Sequence, residues 1–189
     1  MQVALIVTVL FISEASAYKW HDCVPSTTAH PWVTVNSISI SPDPAVLPGN
    51  LTIGITGTVN HPFGTDVKMN VYMDKQLLGV WTKVPCANNV GSCNYDNPCE
   101  FLSAFKTSGT CPQQLTDHGL PCTCPFNPDS INLPPSVFQV TNIAPSWEWL
   151  ATGHFRVRAE MIHNHAVVGC FELELEIQRK GKSRRFIFG

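Results

Sequence analysis

Residues Asn50–Val59 read NLTIGITGTV. Leu51, Ile53, Ile55 and Val59 share one parity, and Asn50, Thr52, Thr56 and Thr58 share the other. Successive side chains of a strand point to opposite faces, so this stretch is a β-strand with one apolar and one polar side. The same alternation returns three times. Val67–Met73 sets Val67, Met69, Val71 and Met73 against Lys68, Asn70 and Tyr72. Phe155–Met161 sets Phe155, Val157, Ala159 and Met161 against Arg156, Arg158 and Glu160. Phe171–Ile177 sets Phe171, Leu173, Leu175 and Ile177 against Glu172, Glu174 and Glu176. Weaker strand patterns fit Val33–Ser41, Leu77–Val84 and Val137–Asn142, while Cys99–Lys106 has room for two helical turns. Short strands joined by Pro- and Gly-rich connections predict an all-β antiparallel fold, a sandwich or a barrel.

The chain opens MQVALIVTVLFISEASA. The apolar run from Val3 to Ile12 is too short to span a bilayer, and small residues follow it at Ala15–Ala17. Residues 1–17 are therefore expected to be a signal peptide, and 18–189 a single mature domain in the secretory pathway. No later apolar stretch is long enough to cross a membrane. The end, RKGKSRRFIFG, is basic, and about 180–189 is expected to be a flexible tail. Twelve Lys and Arg against fourteen Asp and Glu leave no basic excess, which argues against nucleic acid as a partner.

All eight cysteines lie after the expected cleavage point, and six fall between Pro85 and Pro135, where the strand pattern lapses. One pair sits in Gly119–Phe126, GLPCTCPF, each cysteine beside a proline. The spacings C-x6-C, C-x5-C and C-x-C do not match zinc-ligand pairs, so disulfides are expected in an oxidising compartment and no metal. Roughly a hundred pairings are open to eight cysteines.

Motifs for catalysis are missing: there is no G-x-S-x-G, H-E-x-x-H or Gly-rich phosphate loop, so a non-enzyme without a cofactor is expected. His163 and His165 are two apart but fall where a polar hairpin turn belongs, and a third ligand is missing nearby. The row Glu172, Glu174 and Glu176 is expected to be a solvated face opposite Arg156 and Arg158 across the hairpin. Asn50-Leu51-Thr52 is a glycosylation sequon on the polar parity of its strand.

Large apolar side chains also stand where turns should be polar. Leu77, Leu78, Val80 and Trp81 follow an expected hairpin break, and Ile143, Trp147, Trp149 and Leu150 follow a strand. Exposed apolar groups on loops mark contact with a membrane or lipid.

Several stretches carry a resemblance: VYMDKQLLGVWTKVPCANNVGSCNYDNPCEFL, CPQQLTDHGLPCTCPF, PSWEWLATGHFRVRAEM and SPDPAVLPGNLTI. Across most of Trp20–Ile177 the chain resembles the ganglioside GM2 activator family, a sphingolipid-activator branch of the ML-type lipid-recognition fold. The resemblance implies an immunoglobulin-like two-sheet β-cup with an apolar lipid cavity and a disulfide-pinned excursion. It implies the pairs Cys23–Cys170, Cys86–Cys93, Cys99–Cys124 and Cys111–Cys122. It places the inward residues Leu51, Ile53, Ile55, Val67, Met69, Val71, Phe155, Val157, Phe171, Leu173 and Leu175 around the cavity. It makes the two apolar loops the membrane-contacting mouth, with Ser146 a headgroup contact. The function implied is that of a hydrolase activator in ganglioside catabolism. Such a protein extracts a glycosphingolipid from a membrane surface and presents it to a lysosomal glycosidase such as beta-hexosaminidase. The alternative is a secreted carrier of glycosphingolipid or phospholipid, or an interaction module with structurally bound lipid; the expected location is the lysosome or the cell exterior. Glu148-Trp149 after PSW, Phe155 and the basic tail depart from the family pattern.

Overall fold

The structure, a computed structural model, describes residues 18–96, 99, 109–141, 152–179 and 181. The expected signal peptide, the loop residues Ile143, Ser146, Trp147, Trp149 and Leu150, most of the expected tail and the Cys99–Lys106 helix beyond Cys99 lie outside the described residues. In chain order the elements are β1 (Lys19–Asp22), β2 (Val33–Ser41), β3 (Ala45–Leu47), β4 (Gly49–Val59), β5 (Lys68–Leu77), β6 (Val80–Lys83) and β7 (Asn94–Tyr95). They continue with α1 (Gln113–Thr116), β8 (Asp129–Val140), β9 (Gly153–His163) and β10 (Ala166–Arg179).

The strands form two sheets. The larger runs β1-β10-β9-β5-β6, with β3 on β10 and β7 on β5, and the smaller runs β2-β4-β8. Pairing is antiparallel except for β3, which lies parallel to β10. After β6 the chain returns once to the larger sheet at β7, which pairs with β5, and it enters the smaller sheet at β8 after the cysteine-rich excursion.

Register settles which side chains share a face. On the larger sheet Met69, Val71 and Met73 lie beside Met161, Ala159 and Val157, and these beside Gly169, Phe171 and Leu173. On the smaller, Ile38 and Ile40 lie beside Ile55 and Ile53, while Phe138 and Leu133 flank Leu51 and Ile55. The polar parity of the smaller sheet is hydroxyl- and amide-rich, as where Ser37 and Thr56 share a 2.6 Å hydrogen bond. The apolar parities turn toward one another, and the polar parity of the larger sheet lies outside; it is less solvated than expected, with only 12% of the Glu160 and 18% of the Glu172 side chain exposed.

The hairpin between β5 and β6 differs from expectation. Its break comes at Leu78–Gly79, both at positive φ, and β5 runs on through Lys75 to Leu77. The β9–β10 connection is the expected polar turn, with Asn164 and His165 at φ 48° and 66°. The acidic row stands opposite the arginines in register, Glu172 by Arg158 and Glu174 by Arg156. The short ion pairs run elsewhere, however. Arg156 reaches Asp74 at 3.0 Å and Arg158 reaches Glu160 at 2.6 Å, because those carboxylates lie on a neighbouring strand and two residues along the same strand.

Candidate functional site

The two sheets meet at one end. Val59, Phe63, Val67, Met161 and Val168 are buried there, with Trp32, Val33, Met69, Phe126 and Ile131 packed against them. This cluster joins the last residue of β4 to the far ends of β9 and β10, closing a base. Val67 is fully buried within it, so it belongs to the packed base rather than to an open wall.

Above the base the inner faces stay incompletely covered. Leu51, Ile53, Ile55, Met69, Val157, Phe171, Leu173 and Leu175 are each half-buried. Val71 is buried against Cys93 and Tyr95, and Phe155 is 3% exposed. Close-packed interiors normally bury such residues, so this row of half-covered Leu, Ile and Phe is apolar surface left partly open on the two inner faces.

A cavity of about 720 Å³ opens between the smaller sheet and the excursion. That lies within the roughly 300–1,000 Å³ typical of small-molecule sites. Its apolar lining is Ile55, Val59, Ile131, Leu115, Leu120 and Phe126, and its polar edge includes His118, Asn127, Asp129 and Asn132. Of the eleven residues expected around a cavity, Ile55 lines this one. Leu115 and Leu120 were not anticipated, although two leucines spaced between Cys111 and Cys122 in a polar loop are a readable signal.

Disulfides hold that wall. Cys111 bridges Cys122, Cys99 bridges Cys124, and Cys86 bridges Cys93, with Cα separations of 5.8, 5.7 and 4.9 Å. Cys23 bridges Cys170 at 4.9 Å, on the parity of Glu160 and so outside the cup. The two cysteines of GLPCTCPF thus end two different bridges.

The opposite end is the rim. Leu78 is fully exposed at the β5–β6 tip, with Leu77 49% and Val80 66% exposed. Trp81 is placed differently from these three. It pairs with Gln76 on the outer parity, its ring 5.4 Å from His154 and 4.7 Å from the Arg156 guanidinium. The apolar tip and the tryptophan therefore serve different surfaces.

Electrostatic features collect at the base. Trp32 stacks on His61 at 4.0 Å and meets His163 at 4.7 Å. Asp66 accepts a 2.7 Å hydrogen bond from the Gly64 N–H, which holds its carboxyl below the usual range, with His163 and His61 adding to the shift. Burial pushes the Tyr95 phenol up, and its hydroxyl donates to the Asn89 carbonyl at 2.8 Å. Among the described residues no cluster of three His, Cys, Asp or Glu is arranged to hold a metal.

Two antiparallel sheets closed at one end, half-open between, and braced by four disulfides make a β-cup, and this architecture supports lipid binding. The chain belongs to the ML domain family, whose model matches residues 17–177. It is 30% identical over 169 residues to a ganglioside GM2 activator of Mus musculus, covering 88% of this chain and 85% of that protein. It is 29% identical to a ganglioside GM2 activator of Macaca fascicularis, covering 88% and 86%. The crystal structure of a Niemann-Pick type C2 protein from Japanese carpenter ant matches 85% of this chain and 99% of its own, with 11% identity and a TM-score of 0.38.

Proposed function

We propose that the protein lifts a glycosphingolipid from a membrane, holds its ceramide chains in the cup, and presents the sugar to a lysosomal glycosidase of the beta-hexosaminidase type. It acts as a non-catalytic carrier and activator. The observation that carries this reading is the half-covered apolar inner face set above a closed base. A lipid leaving a bilayer loses about 0.8 kcal/mol for each methylene exposed to water, so a carrier must supply comparable apolar cover. The name of the two curated relatives, ganglioside GM2 activator, supports the choice of a ganglioside-type lipid and an activator role.

In this reading residues 1–17 direct the chain into the secretory pathway, to the lysosome or outside the cell, and 18–189 form one domain. Asn50, exposed on the outer parity of β4, carries a glycan. The tip Leu77, Leu78 and Val80 enters the membrane together with Ile143, Trp147, Trp149 and Leu150, and Ser146 contacts the headgroup. Purified beta-hexosaminidase acting on ganglioside in vesicles tests the proposal. The expected result is that stoichiometric protein accelerates sugar release; transfer of lipid between vesicles without acceleration would instead leave a general carrier.

A further inference from the structure

The smaller sheet carries a further concavity at the end away from the base. Pro48, Gly49, Asn50, Gln139, Val140 and Thr141 line this groove, whose volume is about 410 Å³. Register places it. Along the β4–β8 pair Val59, a residue of the base, stands by Asp129, and Gly49 stands by Val140 at the other end. The groove therefore lies at the rim end of this sheet.

Asn50 and Gln139 are direct cross-strand partners. Such partners share a face, with Cβ atoms about 5 Å apart. Both are exposed, on the polar parity outside the cup. The Gln139 side-chain amide has no hydrogen-bond partner among the described residues. Asn50 opens the sequon Asn50-Leu51-Thr52, so a sugar attached to its Nδ2 starts at the edge of the groove. The lining matches the two sides of an N-acetylglucosamine. Pro48 and Val140 offer apolar surface to the ring face and the acetyl methyl, while Gln139 and Thr141 offer hydrogen bonds to the acetamide and hydroxyls.

We propose that this groove seats the asparagine-linked N-acetylglucosamine of a glycan on Asn50, with the Gln139 amide hydrogen-bonded to the sugar. This rests on the glycosylated reading of Asn50 and names the surface that the first sugar covers. A sugar seated here lies against the outer face of the sheet, so the stem of the glycan stays outside the cup while standing at its rim end.

The full chain secreted with an oligomannose glycan tests this in three forms: intact, trimmed by an endoglycosidase to one N-acetylglucosamine, and Asn50→Gln without sugar. Each is unfolded in urea with native Gln139 and with Gln139→Ala. The trimmed form should match the intact one, with an unfolding equilibrium constant about threefold or more below that of Asn50→Gln. Gln139→Ala should remove most of that gap while leaving the sugar-free protein unchanged. A gap of the same size with and without the Gln139 side chain overturns the seat and assigns the stabilisation to the sugar's effect on the unfolded chain. A trimmed form no more stable than Asn50→Gln also overturns it. If the mass of the secreted protein shows no sugar on Asn50, the glycosylated reading itself fails, and the seat with it.

Discussion

Phe63 and Phe126 are joined twice. Their rings stack with centroids 5.0 Å apart, and their main chains exchange two hydrogen bonds, Phe63 N–H to Phe126 O at 3.0 Å and Phe126 N–H to Phe63 O at 2.8 Å. Phe63 follows β4 and Phe126 lies two residues past Cys124, so this clamp ties the closed base to the excursion that walls the cavity. Phe126→Ala should cost about 2–4 kcal/mol, the lower part of the range for large-to-small core changes because its ring is half-buried. Urea unfolding measures the loss; a change under about 0.5 kcal/mol would show the clamp to be incidental.

The Cys111–Cys122 bridge closes a short loop around α1, and Cys122 is fully buried. Replacing both cysteines by serine should lower stability by about 3 kcal/mol through the freed unfolded chain. Hydrogen exchange should quicken first around Leu115 and Leu120 on the cavity wall. Uniformly faster exchange over the whole domain would mean the bridge supports the fold generally, with no special role at the cavity.

The long strands were legible because alternation is a strong signal when one face is water and the other apolar: β4, β9 and β10 sit within a few residues of their expected spans. β8 was read only from Val137. Upstream, Pro134 and Pro135 interrupt the parity where the β4–β8 register shifts between Ile53 and Ile55, so Asp129–Leu133 carries no continuous alternation. β1 and β3 are too short to show a period, and β3 is made by parallel pairing with the distant β10. At the site, parity told which side chains share a face, and the register agrees. The separation of base from wall was not, because Val67 and Val71 look alike in sequence and differ only in what the other sheet and the excursion bring against them.

The rim separates two surfaces that sequence alone had merged. Leu78→Ser with Val80→Ser should weaken vesicle binding severalfold while altering stability by no more than about 0.5 kcal/mol, since both side chains face water. Trp81→Ala should instead lose about 1 kcal/mol of stability, from its contacts with Arg156 and His154. Co-sedimentation with vesicles and thermal melts read the two effects. A stable Trp81→Ala variant that no longer binds vesicles would return the tryptophan to the membrane mouth.

Asp66 sets a pH response at the base. Its carboxyl, lowered first by the Gly64 N–H, contributes stability above its unfolded value of 3.8, and that stability is lost as pH falls through the lower folded value. The stability gap between native protein and Asp66→Asn should therefore be steady from pH 7 to pH 5 and shrink below about pH 4. The gap is small because the group is exposed. Chemical denaturation across that range decides it; a gap already closing between pH 7 and pH 5 would contradict the assignment.

The central claim is that the cup holds lipid chains and releases them to a second surface. Native mass spectrometry of the protein after incubation with phosphatidylcholine vesicles carrying a glucosylceramide, and after removal of those vesicles, reads this directly. The account predicts a population shifted by the mass of one lipid, which disappears when lipid-free acceptor vesicles are added. A protein that keeps its bare mass under these conditions, with no lipid carried to the acceptors, would contradict it.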